Sequence, residues 1–141
     1  MASLFLGMER ILRIHRSLIE QYGGEGGIRD TSLLHSVIAM PKASYEGWYL
    51  HADIFEMAAA YLYHIVQNHP FVDGIKRTGA AAAIIFLVMN GIDVKAEEDG
   101  LVEVTLDIAL GQAGKRDAAD FLRSISPHFS PLTFNRPPSV V

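Results

Sequence analysis

The sequence predicts an all-α fold, a single-domain helical bundle of about six helices. Apolar residues recur at three- and four-residue steps in successive segments, and glycine, proline or capping residues separate those segments. No convincing β alternation, internal repeat or low-complexity run appears between them. The chain has 141 residues, half of them hydrophobic, a length suited to one domain with a core that needs no covalent staple.

The first helix is predicted from Met8 to Tyr22, where Met8, Ile11, Leu12, His15, Leu18, Ile19 and Tyr22 share one face and Gly23-Gly24 ends the element. His15 lies on the apolar stripe and reads as a core histidine rather than a ligand or base. The glycine-rich segment 23–27 lacks the lysine of a P-loop and reads as a tight turn. Asp30 then caps a short second helix carrying Leu33, Leu34, Val37 and Ile38, stopped before Pro41. Residues 42–51 hold Tyr45, Trp48 and Tyr49 without periodicity and read as a long aromatic loop. Both a binding flap and simple packing over the core suit it.

Ile54, Met57, Ala58, Tyr61, Leu62 and Ile65 define a third helix, expected to be central. After the loop around His69–Gly74, a fourth helix from Lys76 to Asn90 is apolar nearly all round and expected to be buried, closing at Asn90-Gly91. Glu97, Glu98 and Asp99 open a fifth helix with charge that suits its macrodipole. Ala118, Phe121, Leu122 and Ile125 mark a sixth that ends at Ser126-Pro127. The domain is thus expected in residues 1–126, with 127–141 an irregular tail bearing Pro131, Pro137 and Pro138.

Composition narrows function. There is no cysteine, which excludes thiol nucleophiles, zinc fingers and iron–sulfur clusters. A net charge of −4 lacks the positive field of a nucleic-acid binder, so no direct nucleic-acid partner is expected. The amino end is broken by Glu9, Arg10 and Arg13 before a signal or span is complete, and the longest apolar stretch, 79–89, is too short to cross a bilayer. A cytoplasmic protein with no membrane partner is expected.

The chemistry concentrates in Asn68-His69-Pro70-Phe71-Val72-Asp73-Gly74-Ile75-Lys76-Arg77-Thr78-Gly79, between the two central helices. Backbone N–H groups at the start of the following helix make an anion site, and cations in a first helical turn, such as Lys76 and Arg77, call for a compensating anion. His69 offers an imidazole suited to taking a proton from an attacking hydroxyl, and Asp73 is a hard oxygen ligand suited to Mg²⁺ beside substrate phosphates. Each alone reads blandly, as a cap, a turn or a solvated charge. Together they describe phosphoryl or nucleotidyl transfer. The P-loop spacing is absent, and His64 and His69, five apart with no intervening glutamate, do not form a metalloprotease pair. His64 reads as the edge of a core face.

The run His69-Pro70-Phe71-Val72-Asp73-Gly74-x-Lys76-Arg77-Thr78 resembles the central motif of Fic/Doc proteins, in the Doc (death-on-curing) toxin branch. Ile14-His15, Gly27-Ile28-Arg29-Asp30 with Leu33-Leu34, Ala58-Ala59-Ala60 and Asn90-Gly91 are also similar to Doc-type sequence, so the likeness covers roughly residues 8–125. The resemblance implies a Fic fold and a toxin of a toxin–antitoxin pair. Its activity would be a kinase that moves phosphate from ATP to a hydroxyl of elongation factor Tu, inhibiting translation and neutralised by a cognate Phd-like antitoxin. It also implies roles. His69 would be the base, Asp73 the Mg²⁺ ligand, and Phe71 the anchor of the loop. Gly74, Ile75, Lys76 and Arg77 would meet the nucleotide phosphates, with Lys76 and Arg77 neutralising their charge, and loop 42–51 lies where the family has its target-docking flap. The self-inhibitory serine-x-x-x-glutamate-glycine motif of some Fic proteins does not occur.

One position departs from the pattern: Ile75 stands where the family has asparagine, which implies slowed transfer. Two other functions stay open. AMP transfer by a Fic-like route is less suited, because Lys76 fills a position usually held there by glycine and no second arginine follows Arg77. A catalytically inactive antitoxin-binding module rests on Ile75 alone.

Overall fold

The structure, a computed structural model, describes residues 3–127. The expected tail lies outside the described residues apart from Pro127. Six α-helices follow in chain order: α1 Met8–Tyr22, α2 Thr31–Ala39, α3 Ile54–Asn68, α4 Ile75–Met89, α5 Glu98–Ala109 and α6 Lys115–Ser124. This is the predicted all-α bundle, and none of these helices is long and apolar enough to cross a membrane.

The helix starts follow their caps. Asp30 accepts from the backbone N–H of Leu33 at the start of α2, and Asp53 accepts from those of Phe55 and Glu56 at the start of α3. Helix α6 begins three residues before the expected Ala118, because Asp117 reaches back to accept the N–H of Gly114 at 2.8 Å. Pro41 does not simply follow α2 but lies within a 3-10 turn, Met40–Lys42.

Helix α3 is central, as expected. It buries Phe55, Met57, Ala58, Tyr61, Leu62, Ile65 and Val66, and packs against α2, α4, α5, α6 and the 3-10 turn, while α1 packs on α4. The α3–α4 pair approaches closely at Gly79, where a Cβ would lie 3.1 Å from Val66 Cγ2 and 3.2 Å from the Leu62 carbonyl oxygen. Helix α4 is less enclosed than its composition predicts. It buries Thr78, Gly79, Ala82, Ala83, Phe86 and Leu87, but leaves Ile84 and Ile85 half-buried and Val88 exposed.

The expected long aromatic loop is instead a small hairpin, β1 Ser44–Tyr45 antiparallel to β2 Trp48–Tyr49, with Ser44 opposite Tyr49. Glu46 (φ 50°) and Gly47 (φ 84°) supply two successive positive φ values, which suit the strand twist. Two-residue strands are too short to display alternation in sequence. Tyr49 packs edge-on against Phe5, which stacks on Phe86 near the carboxyl end of α4. The hairpin base is therefore anchored toward the carboxyl end of α4, about 18 Å along that helix from Gly74.

Candidate functional site

The predicted motif forms the connection between α3 and α4. Helix α3 ends with His69 in the left-handed region (φ 49°, ψ 56°), its N–H bonded to the Ile65 carbonyl. The chain then dives inward at Pro70 and Phe71, both buried, and returns to the surface at Val72 and Asp73. Gly74, at φ 75°, turns it into α4. A Cβ there would lie 3.1 Å from Ile19 Cδ1 and 3.5 Å from the His15 ring, so both the dihedral and the space call for glycine. Phe71 is the buried anchor the resemblance implied.

Three earlier segments fix this loop. Residues 27–30 run antiparallel to it: Val72 N–H donates to the Gly27 carbonyl at 2.9 Å, and the N–H groups of Arg29 and Asp30 both donate to that of Pro70. The Arg29 side chain donates through Nε to the His69 carbonyl and through Nη2 to the Asn68 carbonyl at 2.9 Å. It thus satisfies the carbonyl end of α3 with a cation, where the macrodipole favours one. His15 stacks on Phe71, ring centroids 3.8 Å apart, and its Nε2 lies 2.7 Å from the Asp73 carbonyl oxygen. A carbonyl can only accept, so the proton resides on Nε2. Finally, Asp73 Oδ2 accepts the N–H of Glu25 at 2.8 Å, and Gly24 lies so close that a Cβ on it would come within 3.1 Å of Asp73 Cβ. The glycine-rich segment is more than a turn. It grips the carboxylate.

His69, Asp73, Lys76 and Arg77 are all exposed and gathered on one short connection. Arg77 rests its guanidinium 4.3 Å from the centroid of the Tyr22 ring, at the end of α1. Ile75 is the first residue of α4, half-buried and packed against the core, so only its backbone N–H is available to a ligand. Arg29 was not predicted as a site residue. Its signal was the same as that of Lys76 and Arg77: a cation one residue before the helix-capping Asp30, where the macrodipole disfavours it. His15 was read as a satisfied core histidine, and it is one, but the group that satisfies it belongs to the motif.

The start of α4 differs from those of α2 and α3. No side chain caps it, no acidic residue stands in its first turn, and the first intrahelical bond is from Thr78 N–H to the Gly74 carbonyl. The N–H groups of Ile75, Lys76 and Arg77 thus stand without an intrahelical partner at the positive end of the helix, with two cationic side chains beside them. This is the arrangement that binds phosphate. For a metal, no cluster of three potential ligands occurs among the described residues. Asp73 fits Mg²⁺ only in the mode where one carboxylate and the substrate's phosphates share the ion.

Comparison with known proteins agrees with this geometry. A family model described as "Fic/DOC family" matches residues 5–87. The "Protein kinase doc" of Escherichia phage P1 is 32% identical over 119 residues, 83% of this chain and 91% of that protein. The "Toxin Doc" of Mycolicibacterium smegmatis is 41% identical over 78 residues, 55% of this chain, and the match spans 60% of that relative's length.

Proposed function

The chain belongs to the Fic/DOC family, and we propose that it is the toxin of a toxin–antitoxin pair, a Doc-like protein kinase that moves phosphate from ATP to a hydroxyl of elongation factor Tu in the cytoplasm. The observation that carries this reading is the uncapped start of α4, flanked by Lys76 and Arg77, on the same connection as His69 and Asp73. The names of the two relatives support a phosphotransferase and a toxin.

In this reading ATP lays its terminal phosphates on the N–H groups of Ile75, Lys76 and Arg77. Lys76 and Arg77 neutralise their charge, and Gly74 allows the close backbone approach. Asp73, oriented by Glu25 N–H, would hold Mg²⁺, which supplies further neutralisation of phosphate charge. His69 takes the proton of the target hydroxyl as its oxygen bonds to the γ-phosphorus and ADP leaves. Arg29, His15 and the glycine-rich segment touch no substrate and act by fixing the loop. A Phd-like antitoxin, bound from outside, is the partner that silences the site.

Two other readings separate in one experiment: incubation with ATP, Mg²⁺ and elongation factor Tu, followed by weighing the product. A phosphate adduct is expected. An AMP adduct would select a Fic-like AMP transferase, and no adduct even after Ile75→Asn would leave a catalytically inactive antitoxin-binding module.

A further inference from the structure

A second cluster of titratable groups lies on the side of α3 that faces α6. A cavity of about 510 Å³ opens between the 3-10 turn, the segment after the hairpin, α3 and α6, with Met40, Leu50, His51, Glu56, Lys115 and Arg116 in its lining. None of residues 68–79 lines this cavity, which makes it separate from the transfer site, although His64 behind Lys115 stands only five residues before His69. Its volume falls within the range of small-molecule pockets.

The group that stands out is Lys115. Its Nζ lies 3.2 Å from His64 Nε2 and 3.4 Å from His51 Nε2. Its ion-pairing options are already taken: Asp53, Glu56 and Asp120 all pair with Arg123, at 2.7, 3.6 and 2.9 Å, and Lys115 has no carboxylate within ion-pair distance among the described residues. The ammonium is instead held by two imidazole nitrogens, which accept only as neutral rings. Burial and the neighbouring Lys115 both lower the histidines, His64 to about 4, and burial lowers Lys115 itself. Two of three ammonium donors are thus matched to neutral acceptors, and among the described residues the cation meets negative charge only at longer range, from Glu56. A partly buried cation with no directly paired carboxylate, at the wall of an open cavity, is a place for one.

The remaining lining defines the anion. Glu56 and Asp120 place negative charge across from Lys115, which opposes a polyanion such as a nucleoside triphosphate. Met40, Leu50 and Ala119 supply an apolar wall, and Leu50 is 63% exposed although large and apolar. We infer that this cavity is a second binding site, for a single carboxylate carried on an apolar body, with the carboxylate on Lys115 and Arg116 and the hydrocarbon against Met40, Leu50 and Ala119. A peptide carboxyl terminus and a free fatty acid share that chemistry.

The test uses the full chain and follows the His51 and His64 ring resonances by NMR during titration with two acids, N-acetyl-Ala-Leu and octanoate, and with their amides. Both rings should shift with an acid and not with its amide, and Lys115→Met should weaken binding by roughly tenfold or more, the worth of one charged hydrogen bond. Lys115→Arg, which keeps the charge, should retain binding and guards against a folding defect in the first variant. Tighter binding of the dipeptide identifies a peptide terminus, and tighter binding of octanoate a fatty acid. Equal shifts by acid and amide, no shift with either acid up to its solubility limit, or undiminished binding by a folded Lys115→Met protein would overturn the assignment.

Discussion

His15, on the first helix, and Asp73, in the motif 58 positions later, are joined by a 2.7 Å hydrogen bond from ring nitrogen to backbone carbonyl. The same ring stacks on Phe71 at an interplanar angle of 8°. One side chain therefore holds both the buried anchor of the loop and the backbone of its metal-ligand candidate. His15→Phe keeps a stacking ring but leaves the carbonyl without its donor. We expect a loss of about 1–3 kcal/mol in a denaturant titration and reduced transfer, whereas His15→Gln, which restores a donor, should recover part of both.

His69 is exposed and sits in a left-handed conformation that asparagine also tolerates. His69→Asn should therefore fold with stability within about 0.5 kcal/mol of the parent. Its transfer rate should fall by roughly 10²–10⁴, the usual contribution of a general base. Unchanged single-turnover kinetics would remove His69 from that role.

Ile75 packs part of its side chain on the core at the first position of α4. Ile75→Asn exchanges that packing, about 1 kcal/mol, for an amide beside the phosphate cradle. A polar contact to a charged group is worth about 1.5–3 kcal/mol. Transfer is expected to rise by roughly one to two powers of ten while the melting temperature drops slightly. Equal toxicity of both proteins in the same host would sink the idea that Ile75 attenuates activity.

Gly24 has φ 112° and presses on Asp73. Gly24→Ala adds both left-handed strain, about 1–2 kcal/mol, and a contact at 3.1 Å to Asp73 Cβ. The Asp73 side chain has to give by a few tenths of an ångström, which is expected to weaken its bond from the Glu25 N–H. Besides the lower stability, a higher Mg²⁺ concentration should be needed for half-maximal transfer, a change that a mere loss of stability would not cause.

His64 is held neutral by burial, then by Lys115 and His51, with its pKa lowered to about 4. The unfolded chain protonates this ring near pH 6.5, before the folded one does. Stability is therefore fully present above about 6.5, declines as pH falls toward 4, and loses no more from this group below that. Thermal melts across that interval should show a steeper decline for the parent than for His64→Gln. Parallel curves would contradict the assignment.

Much of this was legible in the sequence, for identifiable reasons. Periodicity located four of the six helices, a continuous apolar run the fourth and an acidic start the fifth, and the Asp30 cap fixed one start, because all these signals lie within a dozen or so consecutive residues. The motif was legible because His69, Asp73, Lys76 and Arg77 crowd into nine positions. The hairpin escaped because two-residue strands carry no alternation. Arg29, His15 and the grip of the glycine-rich segment escaped because their partners are 39 to 58 positions away, and nothing local distinguishes a histidine facing the core from one facing a loop. His51, His64 and Lys115 escaped for the same reason, meeting only when α6 folds back across α3.

The bonds that fix the motif carry a meaning in time as well. Since each joins distant parts of the chain, none can close while only the nearby residues have been made. The loop takes its shape when α1 sets against α4, and because His15, Glu25 and Arg29 all precede the motif, its partners are already on a growing chain when His69 and Asp73 are made. The geometry of the site is therefore tied to the docking of α1: where that helix detaches, the Asp73 carbonyl loses its donor and Phe71 its stacking partner.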